Sequence, residues 1–218
     1  MPGLRERKKQ ETRKRISDVA TWMFLTRGFD KVTVNEIAEA ANVSKMTVFN
    51  YFARKEDMLF DREPEALELV RRAVVERPAG ASPIDALHAL MRRLLSDGYP
   101  MIAVSPGVQL FWRTVDASPA LRARARQLYD AIEAQITELL ATEAGVAPDD
   151  PGAGLAATMI WAVQRVTYRV GLAALERGEP VESVRRRQRD AIDRGFAQVS
   201  GGLARTPFAR PARRGART

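Results

Sequence analysis

Side chains that start and stop helices recur so regularly along this sequence that they leave little room for anything but an all-α fold. Ser82-Pro83, Ser118-Pro119 and Asp150-Pro151 each join a capping side chain to a proline at the first helical position, where a missing N–H costs nothing. Gly28, Gly98, Gly145, Gly178 and the Gly201-Gly202 pair stand where helices are expected to stop. Between such marks, Ile16, Val19, Ala20, Met23, Phe24 and Arg27 follow the 3.6-residue spacing of one helix face. Alternating strand patterns are nearly missing. The expected helices end at Gly28, cover 33–41 and 44–51, and run from 54 toward 77, where Pro64 bends the helix or starts a second piece. Others follow at 82–98, 108–115, 118–145, 150–178 and from Pro180 to the Gly201-Gly202 pair, giving about nine in all.

Composition narrows the chemistry. With 45% apolar residues the chain can bury a core. Cysteine is absent, which excludes disulfides, thiolate metal sites and cysteine nucleophiles. A single histidine, His88, leaves no basis for a zinc cluster or a histidine triad, so no metal and no cofactor is expected. No apolar run approaches the roughly 20 residues of a membrane span, and no leader precedes the basic start; a cytoplasmic protein without membrane contact is the expectation. The net charge of +8 is concentrated at the ends. Residues 1–15 carry Arg5, Arg7, Lys8, Lys9, Arg13, Lys14 and Arg15 against two acids, and Arg205, Arg210, Arg213, Arg214 and Arg217 face none. Basic arms beside a folded body suit a polyanion, although they also serve solubility alone.

Residues 33–52 carry a sharper pattern. Thr33-Val34-Asn35-Glu36 is a capping box that opens a short helix, and Ser44 caps the next. Ile37 and Ala41 share one face of the first helix, Val48 and Phe52 one face of the second, and Asn42 suits the left-handed turn between them. With Val48 and Phe52 turned inward, Lys45, Thr47, Asn50 and Tyr51 are left on a short polar surface of the kind that enters a major groove. A generic helix pair shares these spacings.

The stretch from Gly28-Phe29 through Val32-Thr33-Val34-Asn35-Glu36-Ile37-Ala38, Ala41-Asn42-Val43-Ser44-Lys45-Met46-Thr47-Val48-Phe49-Asn50-Tyr51-Phe52 and on to Met58-Leu59 resembles the N-terminal signature of the TetR (tetracycline repressor) family. The likeness covers about residues 10–60 and implies an N-terminal three-helix helix-turn-helix domain followed by a larger helical domain. Together with the charge and composition of the two ends, it divides the chain into a basic arm (1–15), a DNA-binding domain (16–56), an effector-binding and dimerisation domain (57–202) and a disordered basic tail (203–218). By the same resemblance Thr33 is a phosphate contact and Lys45 and Thr47 are groove-facing, with Met46 and Asn50 on the same helix as further candidate DNA contacts. Tyr51 and Lys55 are backbone clamps, Lys55 at the N-terminus of a long fourth helix whose dipole favours phosphate. Phe49, Asn50, Met46 and Asn42 depart from the residues frequent there, which bears on base preference rather than on the module.

In the larger domain, the family likeness implies a homodimer held by the last two long helices. The candidates are Met159, Val163, Val166 and Val170 on the first of these and Ile192 and Phe196 on the second. It also implies an effector cavity among the middle helices, in a region rich in Met91, Leu94, Tyr99, Met101, Trp112 and Trp161. His88, Gln109, Trp112, Arg113, Gln164 and Tyr168 are the candidate ligand contacts. The function so implied is a DNA-binding transcriptional regulator. As a repressor it leaves a palindromic operator in duplex DNA when a small lipophilic or amphipathic effector binds. Two other readings stand beside it: a DNA-coating protein driven by its arms, and a helical enzyme, for which no glycine-rich phosphate loop or nucleophile elbow is present.

Overall fold

Nine α-helices make up the described part of the chain, residues 3–211, in a computed structural model. They are α1 (Leu4–Arg27), α2 (Val34–Ala40), α3 (Lys45–Tyr51), α4 (Glu63–Val75), α5 (Pro83–Ser96), α6 (Pro106–Ala117), α7 (Pro119–Ala144), α8 (Pro151–Glu176) and α9 (Val181–Leu203). Short 3₁₀ turns lie at Phe29–Lys31, Glu56–Met58 and Pro207–Ala209. Local chemistry explains the boundaries. The capping boxes at Thr33/Glu36 and Ser82/Asp85 both form, and Asp150 accepts the Ala153 N–H at 3.0 Å. Helix α2 closes with Asn42 at φ 52°, whose neighbour Val43 donates its N–H back to the Ala38 carbonyl at 2.9 Å.

The chain divides into two compact units. One comprises Met1–Glu63 with Leu110–Leu128, the other Pro64–Gln109 with Tyr129–Thr218. In the first, Ile16, Ala20, Met23 and Phe24 of α1 are buried with Ile37, Ala38, Val48 and Phe52. Arg124 of α7 pairs with Asp57 at 2.8 Å and also with Glu63, fixing the segment between α3 and α4. In the second, α8 and α9 pack so closely that a Cβ on Gly195 would lie 2.7 Å from a Val163 methyl. A Cβ on Gly171 would lie 2.9 Å from the Gln188 amide, so both glycines are there for helix approach.

Four expectations change. The helix expected from 54 begins at Glu63: Asp57 accepts the Arg54 N–H at 3.1 Å and organises a 3₁₀ turn, and Pro64 then falls in the first turn of α4. Helix α6 extends beyond 108–115 because the Ser105 hydroxyl accepts the Val108 N–H at 3.2 Å and Pro106 starts the turn. The basic arm is helical from Leu4 onward, and Arg13 is drawn into the fold. Of the tail expected to be disordered, residues 203–211 are ordered by Phe208, a buried aromatic on the Pro207–Ala209 turn against α5 and α9. Arg213, Arg214 and Arg217 lie outside the described residues.

Candidate nucleic-acid interface and apolar cavity

Helix α3 has two unlike sides. Val48 is fully buried and Phe52, its C-cap, nearly so. Lys45, Phe49, Asn50 and Met46 are exposed, Met46 to 70%. Thr47 is half-buried, sharing a hydrogen bond with the Ser44 hydroxyl at 2.8 Å while its N–H is capped by Ser44 at 3.0 Å. This pairing pins the Thr47 rotamer at the N-terminal edge of the exposed face. Behind α3, Arg13 of α1 donates to the Tyr51 carbonyl at 2.7 Å and lies over the Phe52 ring at 4.3 Å. Sequence reasoning placed Arg13 in a basic arm. Its spacing of three from Ile16 on α1 was the signal that it shares that helix's inward side.

Thr33 and Glu36 form a reciprocal pair: the Thr33 hydroxyl donates to the carboxylate at 2.8 Å and accepts the Glu36 N–H at 3.2 Å. Arg27 adds an ion pair at 2.5 Å. The Arg27 hydrogen bond, then those from the Thr33 N–H and hydroxyl, lower the Glu36 pKa to about 2. Lys55 is the residue whose setting differs most from expectation. No α-helix begins there, only the 3₁₀ turn at Glu56–Met58, and its Nζ turns inward to the Phe29 carbonyl at 2.5 Å, 4.1 Å from the Phe29 ring centre and 5.5 Å from that of Phe24. Burial pushes its pKa below the usual lysine value, partly offset by Asp30, Glu56 and Glu36.

Within the second unit, α4, α5, α7 and α8 line a partly open void of about 40 Å³. Ala66, Leu69 and Val70, then Leu87, Leu90, Met91 and Leu94, line two sides of it. Ile132, Ile136, Ile160 and Trp161 line the rest, with Tyr99, Met101 and Ile102 from the α5–α6 loop. The six residues picked as ligand contacts stand outside this lining. His88 stacks on Phe196 at 4.6 Å and donates to Asp193 at 2.7 Å, locking α5 to α9. Gln109 is half-buried on α6, Trp112 packs edge-on to Phe111 at 5.5 Å, and Arg113 is exposed. Gln164 and Tyr168 act one layer back: the amide donates to the Met101 carbonyl at 2.6 Å and the phenol to that of Pro100 at 2.5 Å. Gln188 adds a third bond, to Ile102 at 3.3 Å, so three consecutive carbonyls of the loop are held. Polarity drew attention to Gln164 and Tyr168, but the lining is the apolar stripe of α5 at spacings of three and four.

The interface candidates also divide. Ile192 and Phe196 are buried in this chain's own core, which removes them from any partner surface. Val163 and Met159 pack toward Gly195 and Gly202 of α9. Val166 and Val170 are 50% and 62% exposed, and Leu155 on the same side of α8 is 61% exposed.

A family model for bacterial regulatory proteins of the tetR family matches residues 16–61. The HTH-type transcriptional regulator TcmR of Streptomyces glaucescens is 32% identical over 153 residues, 68% of this chain and 67% of that protein. The chain belongs to the TetR family. It is thus a sequence-specific DNA-binding regulator rather than an enzyme, and regulators of this family act on DNA as homodimers with small-molecule effectors. Solved structures of TetR-family architecture share the fold at low identity. A SmeT–triclosan complex aligns over 87% of this chain and 91% of its own with a TM-score of 0.60 at 16% identity. NalD, the secondary repressor of the MexAB-OprM multidrug efflux pump in Pseudomonas aeruginosa, aligns over 86% and 96% with a TM-score of 0.54 at 15% identity. Among the described residues no helix is long and apolar enough to cross a membrane.

Proposed function

We propose that this chain is a repressor that reads a palindromic operator with α3 and leaves it when a small, predominantly apolar effector enters the α4–α5–α7–α8 void. The observation that carries the DNA-reading half is the two-sidedness of α3, anchored by Val48 and Phe52 and presenting Lys45, Met46, Thr47 and Asn50. Lysine suits a phosphate or a guanine edge, asparagine an adenine edge, and the Met46 and Thr47 methyl groups a thymine methyl. Thr33 and Tyr51 flank this face as backbone contacts, and Arg13 braces α3 from behind. The exposed side of α8 at Leu155, Val166 and Val170 is the proposed contact between two copies, whose two-fold axis the operator would repeat.

The effector half is supported by the void and by two solved structures of the same fold: one holds SmeT in complex with triclosan, and the other is NalD, the secondary repressor of a multidrug efflux pump. A void of about 40 Å³ has room for only about three waters, so an effector must widen it. Widening moves α4 and α7, and α7 supplies residues to both compact units. Repression is relieved only if the effector favours the form that cannot dock, since equal affinity for both forms shifts nothing.

Selection of bound DNA from a random pool tests the reader. One palindrome with two half-sites is the expected product, and Thr47→Ala is expected to change the selected sequence. Binding that shows no sequence preference and collapses with salt would instead favour arm-driven coating by the exposed cations of the first turns of α1.

A further inference from the structure

Carboxylate, ammonium, guanidinium and imidazole groups are all missing from the wall of the void in the second unit, which is hydrocarbon and aromatic. Two of the lining residues carry a side-chain N–H or O–H, Tyr99 and Trp161. Trp161 is 4% exposed, and its Nε1–H is buried with no hydrogen-bond partner among the described residues. A buried donor left unmet is unfavourable, and the environment holds it so. The Tyr129 ring stands tilted to the indole at 6.0 Å and 63°, limiting rotation. Gln164, a turn farther along α8, donates its amide N–H to the Met101 carbonyl, and its Oε1 is likewise buried without a hydrogen-bond partner among the described residues.

We propose that the effector is an uncharged, mostly hydrocarbon or aromatic molecule bearing an oxygen acceptor that receives the Trp161 Nε1–H. The claim rests on the void being the effector site and adds the chemistry that site selects. An ionised ligand would enter an apolar wall with no counter-charge, a penalty larger than a hydrogen bond returns. An acceptor-free hydrocarbon would leave the indole unmet. Met91, Met101 and Leu94 can give way as the void grows, methionine above all because it is unbranched.

The test uses the full chain and three bicyclic compounds of one shape: tetralin, α-tetralone and the corresponding tetralin carboxylate. Titration calorimetry is expected to show the ketone binding at least about fivefold more tightly than the hydrocarbon, with no measurable binding of the carboxylate. In Trp161→Phe the ketone-to-hydrocarbon ratio should fall to near one, with tetralin affinity reporting that the cavity survives. Should that variant not fold, the indole N–H resonance of Trp161 in the wild-type chain, assigned by Trp22→Phe and Trp112→Phe, serves in its place. It should move downfield with the ketone and not with tetralin. Equal affinities, preference for the carboxylate, an unmoved resonance or no binding of any of the three each overturn the proposal. Binding as described with operator affinity unchanged would leave the ligand chemistry standing and defeat the repressor-release reading instead.

Discussion

Replacing Lys55 by methionine separates two roles that predict opposite results. A phosphate clamp would lose one ion contact with DNA, reducing the slope of log affinity against log salt by about one unit, while stability stayed unchanged. The observed geometry places the ammonium 2.5 Å from the Phe29 carbonyl and 4.1 Å from the Phe29 ring centre. A charge-assisted hydrogen bond at a half-buried site is worth about 1.5 kcal/mol, after discounting for solvent, and the cation–π contact about 0.5 kcal/mol. Lys55→Met keeps the packing of the stem and removes both, together with the cost of burying the ammonium, so the folded state should lose up to about 2 kcal/mol. For a chain of this size that lowers Tm by up to roughly 8 °C. Urea unfolding followed by circular dichroism gives the first quantity, and fluorescence anisotropy on operator DNA at several salt concentrations gives the second. A flattened slope with unaltered unfolding would refute the inward assignment of Lys55.

Three further outcomes follow from contacts described above. Glu36 has its pKa lowered from 4.5 to about 2 in the folded chain, so its contribution is fully present above about 4.5 and is lost as pH falls toward about 2. The stability difference between wild type and Glu36→Gln in urea titrations should therefore shrink across that window; a constant difference would remove the capping box as its source. Phe208→Ala should cost about 3 kcal/mol, as for other buried aromatics, and a thermal melt unchanged from wild type would show the turn at Pro207–Ala209 to be dispensable. Val166→Asp combined with Val170→Asp should convert a dimer to a monomer in sedimentation velocity and abolish tight operator binding, whereas an intact dimer would move the contact elsewhere.

How much was legible in the sequence depended on the range of the interaction. Helix boundaries set by a residue and its neighbour three or four away, such as Thr33 with Glu36, Ser44 with Thr47 and the turn at Asn42, are local, and reading them needs no partner from elsewhere. The start of α4 escaped for a related reason: the 3₁₀ turn at Glu56–Met58 depends partly on Arg124, 67 positions from Asp57. Phe208 likewise looked like part of a polar tail until α5 and α9 gave it a surface to cover.

By itself the sequence determined an all-α chain, a reader with Val48 and Phe52 behind and Lys45, Thr47 and Asn50 in front, and the family to which it belongs. Periodicity marks an apolar face without saying what meets it. Tertiary structure alone decided that Ile192 and Phe196 are spent inside the subunit while Val166 and Val170 remain outside, that Lys55 and Arg13 turn inward, and that Trp161 faces the void while Gln164 and Tyr168 brace a loop. Each of those depends on which of several similar faces is covered by a helix distant in sequence, and only the folded packing makes that choice.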